Sequence, residues 1–210
     1  AYFSNGAAQN VILTRTKAGV YAAGTSTKAD LMRVVGSDLY ITNGYKIQKL
    51  LASTDPQVST NYATALPVGS ATYPIREVIN LGGSPVVLKG DGVFVYDGQR
   101  FINITPAITP HTDNGKAGFT DGRGRIYYPT ADGDVLVVGS GYQSQQRPAR
   151  FTSFNRETPL GRITAATADM EYVYAVTEPG QIVTNATAAS LAGIGLVVMS
   201  EHAGFFTTHT

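Results

Sequence analysis

Residues Val86–Ile104 read VVLKGDGVFVYDGQRFINI, three short apolar runs separated by two turns that contain Asp-Gly. Runs of this length with β-branched and aromatic residues are typical of strands. Asp-Gly between such runs favours a tight type I′ hairpin turn, because aspartate and glycine tolerate the positive φ angles that this turn requires. The stretch therefore predicts an antiparallel meander with strands at Val86–Leu88, Val93–Tyr96 and Phe101–Ile104 and turns at Lys89–Gly92 and Asp97–Gly98.

The same pattern recurs along the chain. Leu31–Val35, Leu39–Thr42 and Tyr45–Leu50 form one predicted meander, and similar units follow residue 117, residue 162 and residue 195. The units are spaced irregularly at about 40 residues, a period typical of β-propeller blades. We predict a single all-β domain, a β-propeller of about five blades of three- to four-stranded antiparallel meanders. The blades are expected near 31–85, 86–116, 117–161 and 162–193, with a fifth formed by 194–210 together with 1–30.

The two ends of the chain are predicted to close the ring. Residues 1–30 contain two predicted strands, Val11–Thr14 and Val20–Ala23, and the last residues contain two more, Leu196–Met199 and Phe205–Thr208. Pairing between these ends would leave no open sheet edge. An excerpt of a larger propeller and a β-sandwich of similar strand number are the alternatives.

Residues 51–74 break the pattern. They are rich in Ala, Ser and Thr and contain three prolines, so we predict a long loop with room for one outer strand. Ser53–Ser70 has little apolar surface and is expected to become ordered only against a neighbouring chain. The alternative is an unrecognised strand. Ile75–Leu81 suits a short helix or an irregular strand, and the strand is favoured because Gly82-Gly83 ends it.

Composition excludes several functional classes. The net charge is +1, so no basic field indicates nucleic acid, and the absence of cysteine removes disulfides, thiol catalysis and cysteine zinc sites. The apolar run Leu191–Met199 is much shorter than the roughly 20 residues of a membrane-spanning helix. We therefore predict neither a nucleic-acid partner nor a membrane span.

The metal-binding residue types are poorly placed. His111, His202 and His209 lack the close spacing of zinc ligands, although His111 and Asp113 are near enough to pair within one loop. Asp132-Gly133-Asp134 is the nearest approach to a calcium loop, and a hairpin turn explains it equally well. We predict no metal and no cofactor.

Catalytic motifs are also missing from the sequence. It has no G-x-S-x-G nucleophile elbow and no Ser-x-x-Lys pair. The Gly-rich turns at Gly82–Ser84 and Asp121–Arg125 are followed by no helix start that would bind phosphate. A propeller glycosidase would need paired carboxylates at the channel mouth, for which the candidates are Asp91, Asp121, Asp169 and Glu171. Most lie in turns where aspartate has a structural role, so we predict a protein that is not an enzyme and assign no catalytic residues.

Four tyrosines, a basic stretch and two sequons are further features of the sequence. Tyr40, Tyr96, Tyr127 and Tyr174 occupy what the predicted blades make equivalent second-strand positions, which favours blade packing, whereas exposed tyrosines would suit a sugar or protein contact. A mildly basic polar stretch, with an outer strand predicted at Ala149–Phe154, contains Arg147, Arg150, Arg156 and Arg162. Asn103 and Asn185 begin glycosylation sequons, which matter only in a eukaryotic secretory pathway.

The segment YPIREVINLGG followed by VVLKGDGVFVYDGQRFINITP, which ends at Pro106, resembles the blades of bacteriophage tail and other virion-associated β-propeller proteins. The similarity covers about a third of the chain well and the other units loosely. It implies a structural or attachment role in a viral particle, without catalysis.

We therefore expect a non-catalytic structural or interaction module of a virion, such as a phage tail, or of another extracellular assembly. Its expected partners are other protein chains, in an oligomer or larger particle. A carbohydrate-binding propeller lectin is the alternative, with a glycan as partner, and a propeller glycosidase is the third hypothesis. Aromatic and acidic residues repeated on one face favour the lectin, and one deep acidic pocket favours the glycosidase.

Overall fold

The computed structural model describes residues 29–121, 124–131, 136–139 and Thr167 with their side chains, and elsewhere the backbone of individual strands. The described residues form nineteen strands in five antiparallel sheets. Their one helical element is a 3-10 turn at Ser59–Asn61. The described residues therefore contain no helix that is long and apolar enough to cross a membrane. The all-β prediction is confirmed.

Each sheet is a meander in which strands adjacent in the sequence pair with one another. Sheet 1 contains β1 (Tyr2–Ser4), β2 (Val11–Arg15) and β3 (Tyr21–Lys28). Sheet 2 contains β4 (Leu31–Val35), β5 (Asp38–Asn43), β6 (Lys46–Lys49) and β7 (Leu66–Pro67). Sheet 3 contains β8 (Ile75–Leu81), β9 (Ser84–Lys89), β10 (Gly92–Tyr96) and β11 (Phe101–Asn103). Sheet 4 contains β12 (Phe119–Thr120), β13 (Ile126–Pro129), β14 (Asp134–Val138) and β15 (Arg147–Arg150). Sheet 5 contains β16 (Ile163–Ala168), β17 (Tyr172–Thr177), β18 (Gly195–Ser200) and β19 (Phe206–His209).

The first strands of successive sheets lie close together. β1 contacts β4, β4 contacts β8, β8 contacts β12, and β12 contacts β16. Arg33 on β4 and Glu77 on β8 reinforce one of these contacts through an ion pair, with Nε 2.6 Å from Oε1 and Nη2 2.9 Å from Oε2. The sheets therefore follow one another side by side in chain order.

The core lies on both faces of sheet 3. Val86 and Leu88 on β9 pack with Ile126 and Tyr128 of sheet 4, whereas the intervening Val87 packs with residues of sheet 2. Successive side chains of a strand point to opposite faces. Because both faces are covered, β9 and β10 are continuous apolar runs rather than alternating ones.

Glycine conformation explains the tight turns only in part. Gly82 and Gly83 both have positive φ, 58° and 87°, and they form the two-residue connection between β8 and β9. The prediction that the Asp-Gly turns are of type I′ is wrong. Lys89 pairs with Gly92, so the connection there is Gly90–Asp91, and Asp91 does not have a positive φ.

The connection after β10 also differs from a two-residue turn. Tyr96 pairs with Phe101, so the loop contains four residues. Asp97 Oδ1 accepts hydrogen bonds of 2.8 Å from the backbone amides of Gln99 and Arg100. Aspartate stabilises this loop through its side chain, while Gly98 supplies a φ of 102°. The predicted hairpin is confirmed, with a longer turn.

Ile75–Leu81 is a strand, as predicted, but it belongs to sheet 3 and pairs with β9. The predicted boundary between 31–85 and 86–116 is therefore wrong, because the Gly82-Gly83 turn joins two strands of one sheet. A register shift between Ile75 and Glu77 accounts for the irregular spacing of the apolar residues in this strand.

The predicted closure by shared terminal strands is also wrong. β18 pairs with β17 over six residues, and β19 pairs with β18, so 194–210 completes sheet 5. The N-terminal strands form their own sheet with a third strand, Tyr2–Ser4, which pairs with β2. The sequence predicts only two strands in residues 1–30, because the short YFS run at Tyr2–Ser4 has no strand periodicity.

The segment Ser53–Ser70 has internal order. β7 pairs with β6, which confirms the predicted outer strand. Tyr62 is buried and donates a 2.8 Å hydrogen bond to the Pro56 carbonyl, and Val68 is fully buried. The expectation that this segment cannot order itself is therefore wrong, because these side chains supply the apolar surface.

Candidate functional site

The hairpin between β9 and β10 contains a buried cation. Lys89 is fully inaccessible to solvent, and its ammonium donates to the carbonyl of Val68 and to that of Ser70 at 2.8 Å. Asp91 Oδ1 lies 3.1 Å from Nζ. Burial lowers the pKa of Lys89, and the hydrogen bond with Asp91 opposes this effect. The ammonium therefore lies among oxygen atoms from two segments of the chain.

Asp91 is held by the same cluster. Its Oδ2 accepts a 2.7 Å hydrogen bond from the amide of Ser70, whereas its buried Oδ1 has the ammonium nearby without a well-aligned hydrogen bond. The close approach requires glycine at position 69, because a Cβ there would lie 2.6 Å from Asp91 Oδ2 and 2.4 Å from the Phe94 ring. Asp91, a candidate carboxylate for a glycosidase site, is thus part of a structural ion pair.

The backbone of the hairpin is fixed from sheet 4 and from the loop that precedes it. Tyr128 donates a 2.6 Å hydrogen bond to the Lys89 carbonyl, and Asn114 Nδ2 and the His111 amide both donate to the Gly90 carbonyl. The His111 ring is exposed, and its Nδ1 accepts a 3.1 Å hydrogen bond from the amide of Asp113. The predicted His111 and Asp113 pair exists as a local loop contact, with Nδ1 3.9 Å from Oδ2.

A second polar cluster surrounds Asp121. Arg125 Nε donates a 2.6 Å hydrogen bond to Asp121 Oδ2, and the Tyr127 hydroxyl donates to the same oxygen at 3.2 Å. Burial raises the pKa of Tyr127, so the phenol remains a donor. The Tyr127 ring stacks on Phe119 at 4.6 Å. Asp121 therefore joins β12 to β13 across their turn.

The remaining metal and acid candidates lie largely outside the described residues. Among the residues described with side chains, no three of His, Asp and Glu come together as metal ligands. The structure does not describe the side chains of His202, His209, Asp132, Asp134, Asp169 and Glu171.

The side chains of the Asn103 sequon form hydrogen bonds within the fold. Asn103 Nδ2 donates to the Asp91 carbonyl at 3.1 Å, and its Oδ1 accepts from the Thr105 amide at 2.8 Å. Thr105 is fully buried and accepts from the Val93 amide. Asn185 lies outside the described residues.

A cleft of about 210 Å³ separates sheet 2 from sheet 3. One wall carries Tyr40 and Lys49, which are partners across β5 and β6, and the other carries Tyr96 and Phe101, partners across β10 and β11. We call it the tyrosine cleft, and its other lining residues are Ile47, Gln48, Ala63, Thr64, Leu66 and Pro85.

A larger cleft of about 300 Å³ lies between sheets 3 and 4. We call it the apolar cleft, because side chains such as Leu81, Val95, Ile104 and Ile126 line it. Pro85 and Tyr96 line both clefts. Sheet 3 is thus the wall that separates them.

The predicted equivalence of the tyrosines holds only in part. Tyr40, Tyr127 and Tyr174 lie on the second strands of their sheets, but Tyr96 lies on the third strand of sheet 3. The error follows from the assignment of the strand Ile75–Leu81, the first strand of sheet 3, to the preceding unit. Half-buried Tyr40 and Tyr96 line a cleft, whereas buried Tyr127 packs as predicted.

Sequence reasoning missed the polar lining residues Gln48, Lys49 and Thr64. The register of the predicted hairpin at Asn43-Gly44 places Lys49 opposite Tyr40, but it gives no indication that sheet 3 faces this pair. In the basic stretch, β15 (Arg147–Arg150) covers the first two residues of the outer strand predicted at Ala149–Phe154, and residues 151–154 lie outside the described residues. Arg156 and Arg162 lie outside the described residues.

Comparison with protein-family models finds no match, and neither does comparison with curated proteins. Among solved structures, the fold is similar to a crystal structure described as a "putative 6-phosphogluconolactonase" from Bacteroides uniformis, with 12% sequence identity and a TM-score of 0.56. That similarity covers 99% of this chain and 66% of the other. PorZ, a bacterial surface component of the type-IX secretion system of Porphyromonas gingivalis, matches with a TM-score of 0.46 and 13% identity, covering 97% of this chain and 30% of PorZ. This chain thus spans only part of either protein, and the first similarity concerns the fold alone.

Proposed function

We propose that this chain is a non-catalytic interaction module, and that its five sheets are blades of a β-propeller or of part of one. The meander in each sheet and the contacts between successive first strands support the propeller arrangement. The order of the sheets follows the chain, as repeated units that pack on their neighbours would require.

The two candidate carboxylates that the structure describes, Asp91 and Asp121, carry the functional proposal, because both are held by other groups of the protein. Glycoside hydrolysis requires two carboxyl groups that face the scissile bond and are free to exchange protons. Asp91 is held by Lys89 and the Ser70 amide, and Asp121 is held by Arg125 and Tyr127. We therefore assign both carboxylates a structural role, in which they stabilise turns and contacts between strands.

The proposed setting is an extracellular assembly, with other protein chains as partners in an oligomer or larger particle. This part of the proposal comes from the sequence resemblance to virion-associated propeller proteins. It is tested by whether this chain is recovered in a particle of defined stoichiometry from its native source, with cross-links from its surface to the same partner chain in every preparation.

An enzymatic role is tested by assays on the purified chain. 6-Phosphogluconolactone is included because of the name of the similar structure, and p-nitrophenyl glycosides test for glycosidase activity. We expect no turnover above the uncatalysed rate. Turnover above that rate would contradict the proposed function. Its loss in Asp91→Asn or Asp121→Asn, while the melting temperature is retained, would assign the activity to these carboxylates.

Carbohydrate binding is the second candidate function. The observation that favours it is the tyrosine cleft, in which the half-buried rings of Tyr40 and Tyr96 lie beside polar side chains. Such a combination is typical of small-molecule sites, in which a few polar groups fix the orientation of a ligand held by apolar walls.

A further inference from the structure

The tyrosine cleft has aromatic walls and an apolar floor. Tyr96 and Phe101 lie in one wall with ring centroids 5.1 Å apart and planes inclined at 40°. Tyr40 lies in the opposite wall, and the floor contains Ile47, which is buried, and the half-buried Leu66. The Tyr96 hydroxyl donates a 2.7 Å hydrogen bond to the Gly98 carbonyl, which fixes its ring. A ligand in the cleft therefore contacts aromatic side chains on both walls.

Polar groups complete the lining. Gln48 is held by a 3.1 Å hydrogen bond from its Nε2 to the Ala63 carbonyl, so the loop before β7 is fixed against β6. Thr64 in this loop and Lys49 on β6 are both exposed. These residues provide hydroxyl, amide and ammonium groups around an apolar floor. A sugar ring has the matching chemistry, because it combines an apolar C–H face with a rim of hydroxyl groups.

The charge of the cleft distinguishes between classes of sugar. Lys49 Nζ lies 2.6 Å from Asp38 Oδ2, and this hydrogen bond raises the pKa of Lys49. The ammonium remains charged, but its charge is balanced by the adjacent carboxylate. Among the described residues that line the cleft, Lys49 is the one ionisable cation, so these residues present no net positive charge to a phosphate or carboxylate group.

The size of the cleft limits the ligand. Drug-sized ligands occupy pockets of about 300–1,000 Å³, and the tyrosine cleft is smaller at about 210 Å³. It suits a single ring, with the rest of a longer chain outside.

We infer that the tyrosine cleft binds one ring of a neutral glycan, stacked on Tyr40 and Tyr96 with its hydroxyl groups toward Gln48, Lys49 and Thr64. The inference rests on the proposed function as a non-catalytic interaction module, and it names the ligand class and the residues.

The first test measures binding of neutral methyl glycosides of glucose, galactose, mannose and N-acetylglucosamine by saturation-transfer NMR. Tyr40 is the residue to change, because it lines this cleft and not the apolar cleft. Tyr40→Ala should weaken binding at least about tenfold through loss of the stacking ring. Tyr40→Phe keeps the ring and should weaken binding by no more than about threefold.

A matched control identifies the cleft. Leu81→Ala alters the apolar cleft only and should leave the affinity unchanged. Each variant is first shown to unfold cooperatively. The inference is overturned if none of the four glycosides binds the wild-type chain, or if folded Tyr40→Ala binds as tightly as the wild type.

The second test reverses the charge argument. Asp38→Asn leaves the ammonium of Lys49 without its carboxylate partner, and this variant should bind glucose 6-phosphate several-fold more tightly than the wild type does. Glucose 6-phosphate binding to the wild type as tightly as the neutral glycosides would overturn the assignment to neutral sugars. Hydrolysis of a bound glycoside would overturn the non-catalytic function while leaving the cleft assignment intact, whereas absence of binding overturns the cleft assignment alone.

Discussion

Replacement of Lys89 by methionine should destabilise the protein strongly. The substitution keeps the apolar stem but removes the ammonium from the carbonyls of Val68 and Ser70 and from the Asp91 carboxylate. Loss of one partner from a buried ion pair costs about 3–5 kcal/mol, because the remaining charge stays buried without compensation. The Asp91 side chain is only 11% exposed, so solvent recovers little of this cost. We expect a loss of about 3–5 kcal/mol, a large part of the roughly 5–15 kcal/mol that stabilises a typical domain.

Urea unfolding of four proteins measures this effect. The set contains the wild type, Lys89→Met, Asp91→Asn and the double variant, with m-values compared to confirm that the same surface unfolds. Removing the stranded carboxylate charge should make the double variant more stable than Lys89→Met by at least about 1 kcal/mol. A loss below about 1 kcal/mol in Lys89→Met, with an unchanged m-value, would refute the buried ion pair.

Three further predictions concern single positions. Gly69→Ala should cost more than about 3 kcal/mol, since it combines a φ of 54° with overlap of the Phe94 ring. Gly44→Ala is the matched control, with a φ of 58° and open space, and it should cost about 1–2 kcal/mol. Equal losses of the two variants in urea unfolding would contradict the overlap. Asp121→Asn should cost about 2 kcal/mol by weakening its bond with Arg125, and a melting temperature equal to that of the wild type would refute its structural role. Burial raises the pKa of Tyr128 above the ordinary value of 10.0. Above pH 10.0 the unfolded state therefore loses a phenol proton that the folded state keeps. The contribution of Tyr128 to stability is complete below pH 10.0 and declines as the pH rises further. Tyr128→Phe should cost about 1 kcal/mol at neutral pH and show a shallower alkaline loss, and identical slopes between pH 9 and pH 11 would argue against this assignment.

Local turn chemistry was readable from the sequence. The prediction that Gly82-Gly83 ends the strand Ile75–Leu81 is confirmed, because glycine tolerates the positive φ that the turn requires at both positions. That this turn joins two strands of one sheet was not predicted. The hairpin around Asp97 was also predicted, although the aspartate acts by accepting backbone hydrogen bonds rather than by adopting a positive φ. Turns depend on a few neighbouring residues, so a short window contains the information.

The tyrosine cleft could not be predicted from a short window of sequence in the same way. The sequence places Tyr40 and Tyr96 at equivalent second-strand positions and favours blade packing for them, whereas it gives sugar contacts only to exposed tyrosines on loops. Tyr40 and Tyr96 come together because sheet 2 lies against sheet 3. The loop that contains Thr64 was expected to be unordered in the isolated chain, and the buried Tyr62 and Val68 hold it in place.

The sequence by itself determined that this protein is an antiparallel all-β chain of repeated meanders, because strand period and turn residues act within a few positions of one another. Only the tertiary structure decided that Ile75–Leu81 begins sheet 3 and that 194–210 completes sheet 5. It also decided that Lys89, a residue type that is usually solvated, is fully buried. Strand partners and buried charges depend on groups distant in sequence: backbone hydrogen bonds can be satisfied by any neighbouring edge, and the Lys89 ammonium is stabilised by carbonyls from the Val68–Ser70 segment that the fold brings to it.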